Sequence, residues 1–303
     1  MESFDLLVIG SGPGGQRAAI QAAKLGKRAA VVERREIVGG VTAHTGTIPS
    51  KSLREAVLYL CGWREKGIYG RSHRVKSDIT AQDLFQRLNI TVQHEIEIIE
   101  HQLQRNGVRV IHGMAKFLDS HTVRITSITG QSADYRADTI DDETIIDSDG
   151  LLQIKAIPRS MTVIGAGVIG VEYATIFSAL DAKITLVDNR DTILDFVDAD
   201  IVDEFRHDLM SRGIQLRLGE DVERVEKASD GSVLTYLKSG KRIRSDLLMA
   251  AAGRTGATAG LDLEKAGVPV DARGRLSVQP TYQTEVPHIY AVGDVIGFPA
   301  LAS

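Results

Sequence analysis

Apolar residues along this chain fall into short, largely β-branched runs separated by longer stretches whose apolar positions recur at helical spacing. Runs of the first kind read as buried strands and stretches of the second kind as amphipathic helices. The run Leu6-Leu7-Val8-Ile9 opens into Gly10-Ser11-Gly12-Pro13-Gly14-Gly15, and residues 16–25 then carry a helical pattern. The same succession returns 155 residues later. Met161-Thr162-Val163-Ile164 opens into Gly165-Ala166-Gly167-Val168-Ile169-Gly170, and residues 171–180 read as a helix. Each copy continues into a second apolar strand that ends on an acid, Glu33 or Asp188, 23 residues beyond the first glycine of its copy.

Between the copies, residues 89–106 read as a helix, and residues 108–112, 122–128 and 135–140 as a small antiparallel excursion. After the second copy, residues 200–212 read as a helix. Residues 215–218, Val222–Lys227, 232–237, 247–251 and 288–292 read as strands, and Gly253-Arg254-Thr255-Gly256 as a turn. Strand alternating with helix predicts an α/β fold. The repeat predicts two Rossmann-like, dinucleotide-binding domains.

Two Gly-x-Gly-x-x-Gly loops, each between strand and helix and each followed by a spaced acid, point to two dinucleotide sites. Gly10 and Gly165 permit the tight turn out of the strand, Gly12 and Gly167 let a pyrophosphate approach the backbone, and Gly15 and Gly170 let helix and strand pack closely. The diphosphate then lies on the helix N-terminus, where N–H groups and the helix dipole favour negative charge. Glu33 and Asp188 are placed to accept from a ribose hydroxyl.

Composition narrows the picture further. The 303 residues carry 36 Lys+Arg against 40 Asp+Glu, a formal net charge of −4, which offers no global attraction to nucleic acid or to anionic membranes. A length suited to about two domains agrees with the repeat. The acidic opening Met1-Glu2-Ser3-Phe4-Asp5 lacks the pattern of a leader, and no apolar stretch is long enough to span a bilayer, so a cytoplasmic enzyme is expected. The single cysteine, Cys61, excludes an internal disulfide and reads as a small helical hydrophobe. His94 and His101, and the acids Asp195, Asp198, Asp200 and Asp203, read as solvated surface rather than as metal sites.

Beyond Glu33 runs Gly39-Gly40-Val41-Thr42-Ala43-His44-Thr45-Gly46-Thr47-Ile48-Pro49-Ser50-Lys51, and the chain closes on Ile289-Tyr290-Ala291-Val292-Gly293-Asp294-Val295-Ile296-Gly297. With both glycine loops, these segments resemble the pyridine nucleotide-disulfide oxidoreductase family of FAD flavoproteins. The family's redox-active members have cysteines where this chain has Thr42 and Thr47. A hydroxyl cannot replace a thiolate in disulfide chemistry at neutral pH, so disulfide reduction loses its central residues. The match is to the transhydrogenase branch, which keeps the fold without the cysteine pair. That resemblance implies hydride transfer between NADPH and NAD⁺ through bound FAD, with the nicotinamide nucleotides taking turns at one site.

Carried over position by position, the resemblance assigns Gly10, Gly12, Gly14, Gly15, Glu33, Gly40, Thr42, Thr47 and Asp294 to FAD. It assigns Gly165, Gly167, Gly170, Asp188, Arg190, Gly253 and Arg254 to NAD(H) and NADP(H). Lys51 would lie beside the flavin and pair with Glu172. The simpler reading makes Lys51 a surface lysine at a helix start and Glu172 a first-turn acid. Asp188 suits a free 2′-hydroxyl and would repel a 2′-phosphate, which Arg190 could instead pair; either arginine also reads as a plain surface charge.

The resemblance further implies a three-layer ββα architecture in which the second Rossmann-like domain is inserted in the first, with an FAD-binding domain over residues 1–150, an NAD(P)-binding domain over 151–270 and a return to the first over 271–303. It implies a homodimer built by a C-terminal domain that this chain lacks. After Ile140 an Ala-Thr-Gly segment is expected, and Asp141-Asp142-Glu143 stands there instead. That predicts a shortened strand, a weaker sheet and lower FAD affinity. An NAD(P)H oxidase or diaphorase that serves oxygen or a quinone, and an inactive nucleotide-binding fragment, stay open as alternatives.

Overall fold

The computed structural model describes residues 1–63, 66–70, 73–142, 154–251, 253 and 255–297. Two compact units divide the chain. The first comprises Met1–Pro49, Ile90–Asp147 and Arg254–Ser303, and the second Ser50–Asn89 and Ser148–Gly253.

In chain order the elements are β1 (Glu2–Ile9), α1 (Pro13–Lys24), β2 (Ala29–Glu33), α2 (Gly40–His44), α3 (Thr47–Leu60), α4 (Lys66–Tyr69) and α5 (Ala81–Arg105). Next come β3 (Arg109–His112), β4 (Met114–Phe117), β5 (Thr122–Thr126), β6 (Ser132–Asp142), β7 (Ser160–Ile164), α6 (Val168–Ala179), β8 (Lys183–Val187) and α7 (Ala199–Ser211). The chain continues through β9 (Gln215–Arg217), β10 (Val222–Lys227), β11 (Val233–Leu237), β12 (Arg242–Ser245), β13 (Leu247–Ala250) and β14 (Ile289–Ala291).

The first unit is built on a sheet of order β3-β2-β1-β6-β5-β4, with β14 also paired to β6. Its strands β3, β2, β1, β6 and β14 run parallel, whereas β4 and β5 are antiparallel additions. Burial on both faces explains the unbroken apolar runs of β1 and β2, since each residue of a central parallel strand meets one covering layer or the other. Leu7, Ile9, Ala30 and Val32 pack with Phe117, Val123, Ile125, Leu276 and Ile289. Val8, Ala29 and Val31 pack on the opposite face with Ala19 of α1 and Ile99 and Leu103 of α5. Leu7 and Val8 are fully buried, each contributing about 1.5–3 kcal/mol by removal from water.

Three expectations are corrected here. Residues 109–112 belong to the parallel sheet, pairing with β2, and not to the antiparallel excursion. The strand expected to stop at Ile140 continues to Asp142, paired with β1 through Ile9 and with β14 through Ala291, so the acids do not cut it short. Backbone pairing in a ladder does not depend on side-chain polarity, and neighbours on both sides hold the strand in place. The residues beyond it that bear on the missing Ala-Thr-Gly segment lie outside the described part. Helix α5 starts eight residues before the predicted helix because Thr80 and Asp83 cap it reciprocally. The Thr80 N–H and hydroxyl each donate to Asp83 Oδ2 at 2.8 Å, and the Asp83 N–H donates to Thr80 Oγ1 at 3.2 Å.

The second unit carries a parallel sheet of order β13-β7-β8-β9 and an antiparallel meander β10-β11-β12. Asp198 caps α7 by accepting from the Asp200 N–H at 3.0 Å. Among the described residues no helix is long and apolar enough to cross a membrane.

Candidate nucleotide-binding sites

The two glycine loops have nearly the same geometry. Gly10 and Gly165 adopt φ of 105° and 106°, a conformation open to glycine and strained for other residues. Their N–H groups donate to Val32 and Val187 at 2.8 and 2.7 Å, tying each loop to the neighbouring strand. Gly12 and Gly167 are the extended N-cap residues of α1 and α6, and their carbonyls accept from Gln16 and Val171 at 2.9 and 3.0 Å. Neither helix has an acid in its first turn, so no first-turn side chain opposes an anion at either N-terminus.

The third glycines are required by packing. A Cβ on Gly15 would lie 2.6 Å from the Gly10 carbonyl oxygen, and one on Gly170 would lie 1.8 Å from that of Gly165. Gly167 differs, because a Cβ there would point into open space. That open line leaves room for a diphosphate to approach the loop backbone. In the first unit Gly40 stands against Gly12, where its Cβ would come within 2.7 Å of the Gly12 Cα.

Each strand-end acid holds its glycine loop from below. Glu33, nearly fully buried, accepts from the Ser11 N–H at 3.2 Å, from the Ser11 hydroxyl and from the Arg35 N–H at 2.9 Å. The Ser11 hydroxyl in turn accepts from the Gly39 N–H at 2.8 Å and so connects the loop to the segment leading into α2. Asp188 accepts from the Ala166 N–H at 2.6 Å and the Arg190 N–H at 2.9 Å. Its carboxylate also takes the Arg190 side chain, Nε to Oδ1 at 2.9 Å and Nη2 to Oδ2 at 2.8 Å, while Arg190 Nη1 reaches Asp195 Oδ1 at 2.9 Å. Burial pushes the Asp188 carboxyl up. Hydrogen bonds from the Arg190 side chain and from the two N–H groups outweigh burial and bring it down to about 2. The Asp188 and Asp195 carboxylates raise the Arg190 guanidinium in return.

Lys51 on α3 and Glu172 on α6 form an ion pair in the second unit, Lys51 largely exposed and Glu172 mostly covered. Glu172 lies past the first turn of α6, so the helix N-terminus does not account for its position. Thr42 lies in α2, and Thr47 opens α3 and is exposed. Asp294 occupies the short 3-10 turn Gly293–Ile296 directly after β14. Because β1, β2 and β14 point the same way, Gly10, Glu33 and Asp294 emerge at one end of the first sheet, the carboxyl end where ligands of such sheets bind. Gly253 follows β13 with φ of 138°, and Arg254 lies outside the described residues. Cys61 is fully buried just beyond α3. Among the described residues no group of three or more His, Cys, Asp or Glu could hold a metal ion.

The family model for pyridine nucleotide-disulphide oxidoreductases matches residues 4–303. The chain belongs to that family. It is 48% identical to the soluble pyridine nucleotide transhydrogenase of Mycobacterium bovis (strain BCG / Pasteur 1173P2), over all of this chain and 68% of that protein. It is 41% identical to the protein of the same name from Colwellia psychrerythraea, over 99% of this chain and 67% of that one. Among solved structures it is similar to the copper(II) complex of the HOCl-induced flavoprotein disulfide reductase RclA from Escherichia coli. There the TM-score is 0.87 at 26% identity, covering 100% of this chain and 68% of that one. The fold is shared with LpdA from Mycobacterium tuberculosis, with a TM-score of 0.88.

Membership in this oxidoreductase family makes FAD the implied resident cofactor, and the first glycine loop fits it. Among the described residues three donors reach Glu33, and a carboxylate offers about four acceptor positions, so one is left for a ribose hydroxyl. Two residues of these loops escaped sequence reasoning. Ser11 occupies a variable position of the glycine motif and betrays its role only through its contacts with Glu33 and Gly39. Asp195, expected as surface, holds Arg190. It lies seven residues beyond Asp188, in a segment with no helical or strand period to report its direction.

Proposed function

We propose that this chain is an FAD-dependent transhydrogenase moving a hydride between NADPH and NAD⁺, with FAD on the first glycine loop and the nicotinamide nucleotides visiting the second. The observation that carries this reading is the Lys51–Glu172 ion pair. It joins α3, which opens on Thr47, one of the two threonines in place of thiols, to the helix that opens at the second glycine loop. Bound FAD would supply a two-electron carrier between the two nucleotides. In the first unit Glu33 would hold the ribose of its ADP portion, Asp294 would bond its ribityl or diphosphate region, and Gly10, Gly12, Gly14, Gly15, Gly40, Thr42 and Thr47 would line its path. Lys51 presents a cation fixed by Glu172, a preorganised charge that steadies negative charge arising during hydride transfer. Gly165, Gly167, Gly170, Asp188, Arg190, Gly253 and Arg254 would receive NAD(H) or NADP(H). A cytoplasmic location suits this use of nicotinamide nucleotides.

The test is the visible spectrum of the protein after incubation with FAD and desalting. Retained flavin colour that bleaches on anaerobic NADPH addition and returns with NAD⁺ is expected. Colour that returns only with oxygen would favour an NAD(P)H oxidase, and a colourless protein would remove the flavin from the reading. Lys51→Met should retain the flavin and bleach more slowly with NADPH; an unchanged rate would remove Lys51 from the chemistry.

A further inference from the structure

The two strand-end acids differ in one respect that the shared motif does not explain, and its use rests on the second loop being the nicotinamide-nucleotide site. Asp188 accepts four hydrogen bonds among the described residues, from Ala166 N and Arg190 Nη2 at Oδ2 and from Arg190 N and Nε at Oδ1. A carboxylate has about four acceptor positions, so Asp188 is full, whereas among the described residues three donors reach Glu33 and leave one position over. No ribose hydroxyl can donate to Asp188 while the Arg190 side chain is docked on it. Withdrawal of that side chain leaves only the Ala166 and Arg190 N–H groups on Asp188 and frees two positions.

The structure provides a second place for the guanidinium. Arg190 Nη1 already lies 2.9 Å from Asp195 Oδ1, and Asp195 is half exposed while Asp188 is buried. The segment bearing Asp195 is held firmly. Ile193 is fully buried, the Leu194 N–H donates to the Ala166 carbonyl of the glycine loop at 3.1 Å, and the Val197 N–H closes a turn on Leu194 at 2.8 Å. Leu194 has φ of 47°, a left-handed conformation that a branched residue adopts only when its surroundings impose it. Asp195 is therefore fixed relative to the loop that would carry the nucleotide.

We propose that Asp195 is a positioning residue that sets whether the second site takes a 2′-hydroxyl or a 2′-phosphate nucleotide, by competing with Asp188 for the Arg190 guanidinium. With Arg190 drawn to Asp195, Asp188 is vacated and accepts from the 2′-hydroxyl of NAD(H). With Arg190 kept on Asp188, the buried carboxylate is neutralised, and Nη1 turns from Asp195 to the 2′-phosphate of NADP(H). One site then serves both nucleotides because each position of Arg190 gives up contact with one of the two acids.

Titration calorimetry with NAD⁺ and with NADP⁺ on the full chain tests this without any turnover. In Asp195→Asn the competing carboxylate is gone, so NADP⁺ should bind more tightly and NAD⁺ more weakly. The affinity ratio should shift about fivefold, the scale of a half-exposed ion pair, and Asp195→Glu should restore it. Arg190→Gln should weaken NADP⁺ about tenfold or more, the loss of a charge-assisted bond to phosphate, without weakening NAD⁺. A purely structural role for Asp195 would move both affinities in the same direction, and that result, or no change, would overturn the inference while leaving the transhydrogenase reading intact. A wild-type chain that binds neither nucleotide would overturn the nucleotide-site reading and the inference together.

Discussion

At the residue scale, the two acids show how far a motif can be read. The spacing of Glu33 and Asp188 from their glycines is visible in the sequence, and both side chains turn inward to hold backbone N–H groups of the loop. Their differing partners are not visible, because Ser11 and Ala166 occupy a position the motif leaves free and Arg190 reads equally well as a surface charge. The Asp188 partners have a consequence for acid stability. Its carboxyl is brought down to about 2 in the folded chain from the ordinary aspartate value of 3.8, so folding favours the ionised form. The resulting stabilisation is present in full above the unfolded value and is lost as pH falls through the folded one. The difference corresponds to about 2 kcal/mol. Asp188→Asn should therefore be less stable than wild type at pH 7, and the gap should narrow by about that amount between pH 5 and 2. Urea midpoints across that range measure it; a gap independent of pH would show that the carboxylate is not the group responsible.

At the element scale, segments with a recurrent apolar face or an apolar run were legible, and segments without one were not. Helices α1, α6 and α7 lie close to where their apolar spacing puts them, since each buries a recurrent face. Strands β4 and β12 were missed: Lys116 breaks the apolar residues of Met-Ala-Lys-Phe, and Arg-Ile-Arg-Ser has a single one, so neither presents an apolar run, whereas β9 and β14, three residues each, were read. The start of α5 was missed because its signal is a cap and not a period, and Thr80 with Asp83 is an acid version of the usual Ser/Thr and Glu box. The close contact of helix and strand at the glycine loops separates folding from binding. Gly170→Ala drives a methyl group into the Gly165 carbonyl, which must move, at a cost of roughly 1–3 kcal/mol or more. Gly167→Ala meets no protein atom, so its stability should stay within about 1 kcal/mol of wild type. Its methyl group nevertheless occupies the line by which a pyrophosphate would approach, and nucleotide affinity should fall. Thermal melts paired with NAD⁺ titrations distinguish the two; a Gly167→Ala chain with unchanged affinity would move the nucleotide off this loop.

At the scale of the whole molecule, the internal repeat is the strongest signal in the sequence, because two loops of nearly equal geometry arise from two matched strings 155 residues apart. Periodicity does not show which unit a helix joins, and residues 50–89 fall with the second unit although they lie between segments of the first. On the proposed reading the repeat would also limit how many nucleotides are held at once. With FAD on the first loop, as proposed, NADPH and NAD⁺ would be left with one loop between them, that of Gly165 to Gly170. The donor nucleotide would then leave before the acceptor enters. Double-reciprocal plots of rate against NAD⁺ at several fixed NADPH concentrations should give parallel lines, and high NADPH should inhibit by occupying the site that NAD⁺ needs. Arg190→Gln, which is expected to weaken NADP(H) alone, should relieve that inhibition while the lines stay parallel. Intersecting lines in the wild-type chain would require donor and acceptor to be bound together, and would assign the second nucleotide to a surface other than either glycine loop.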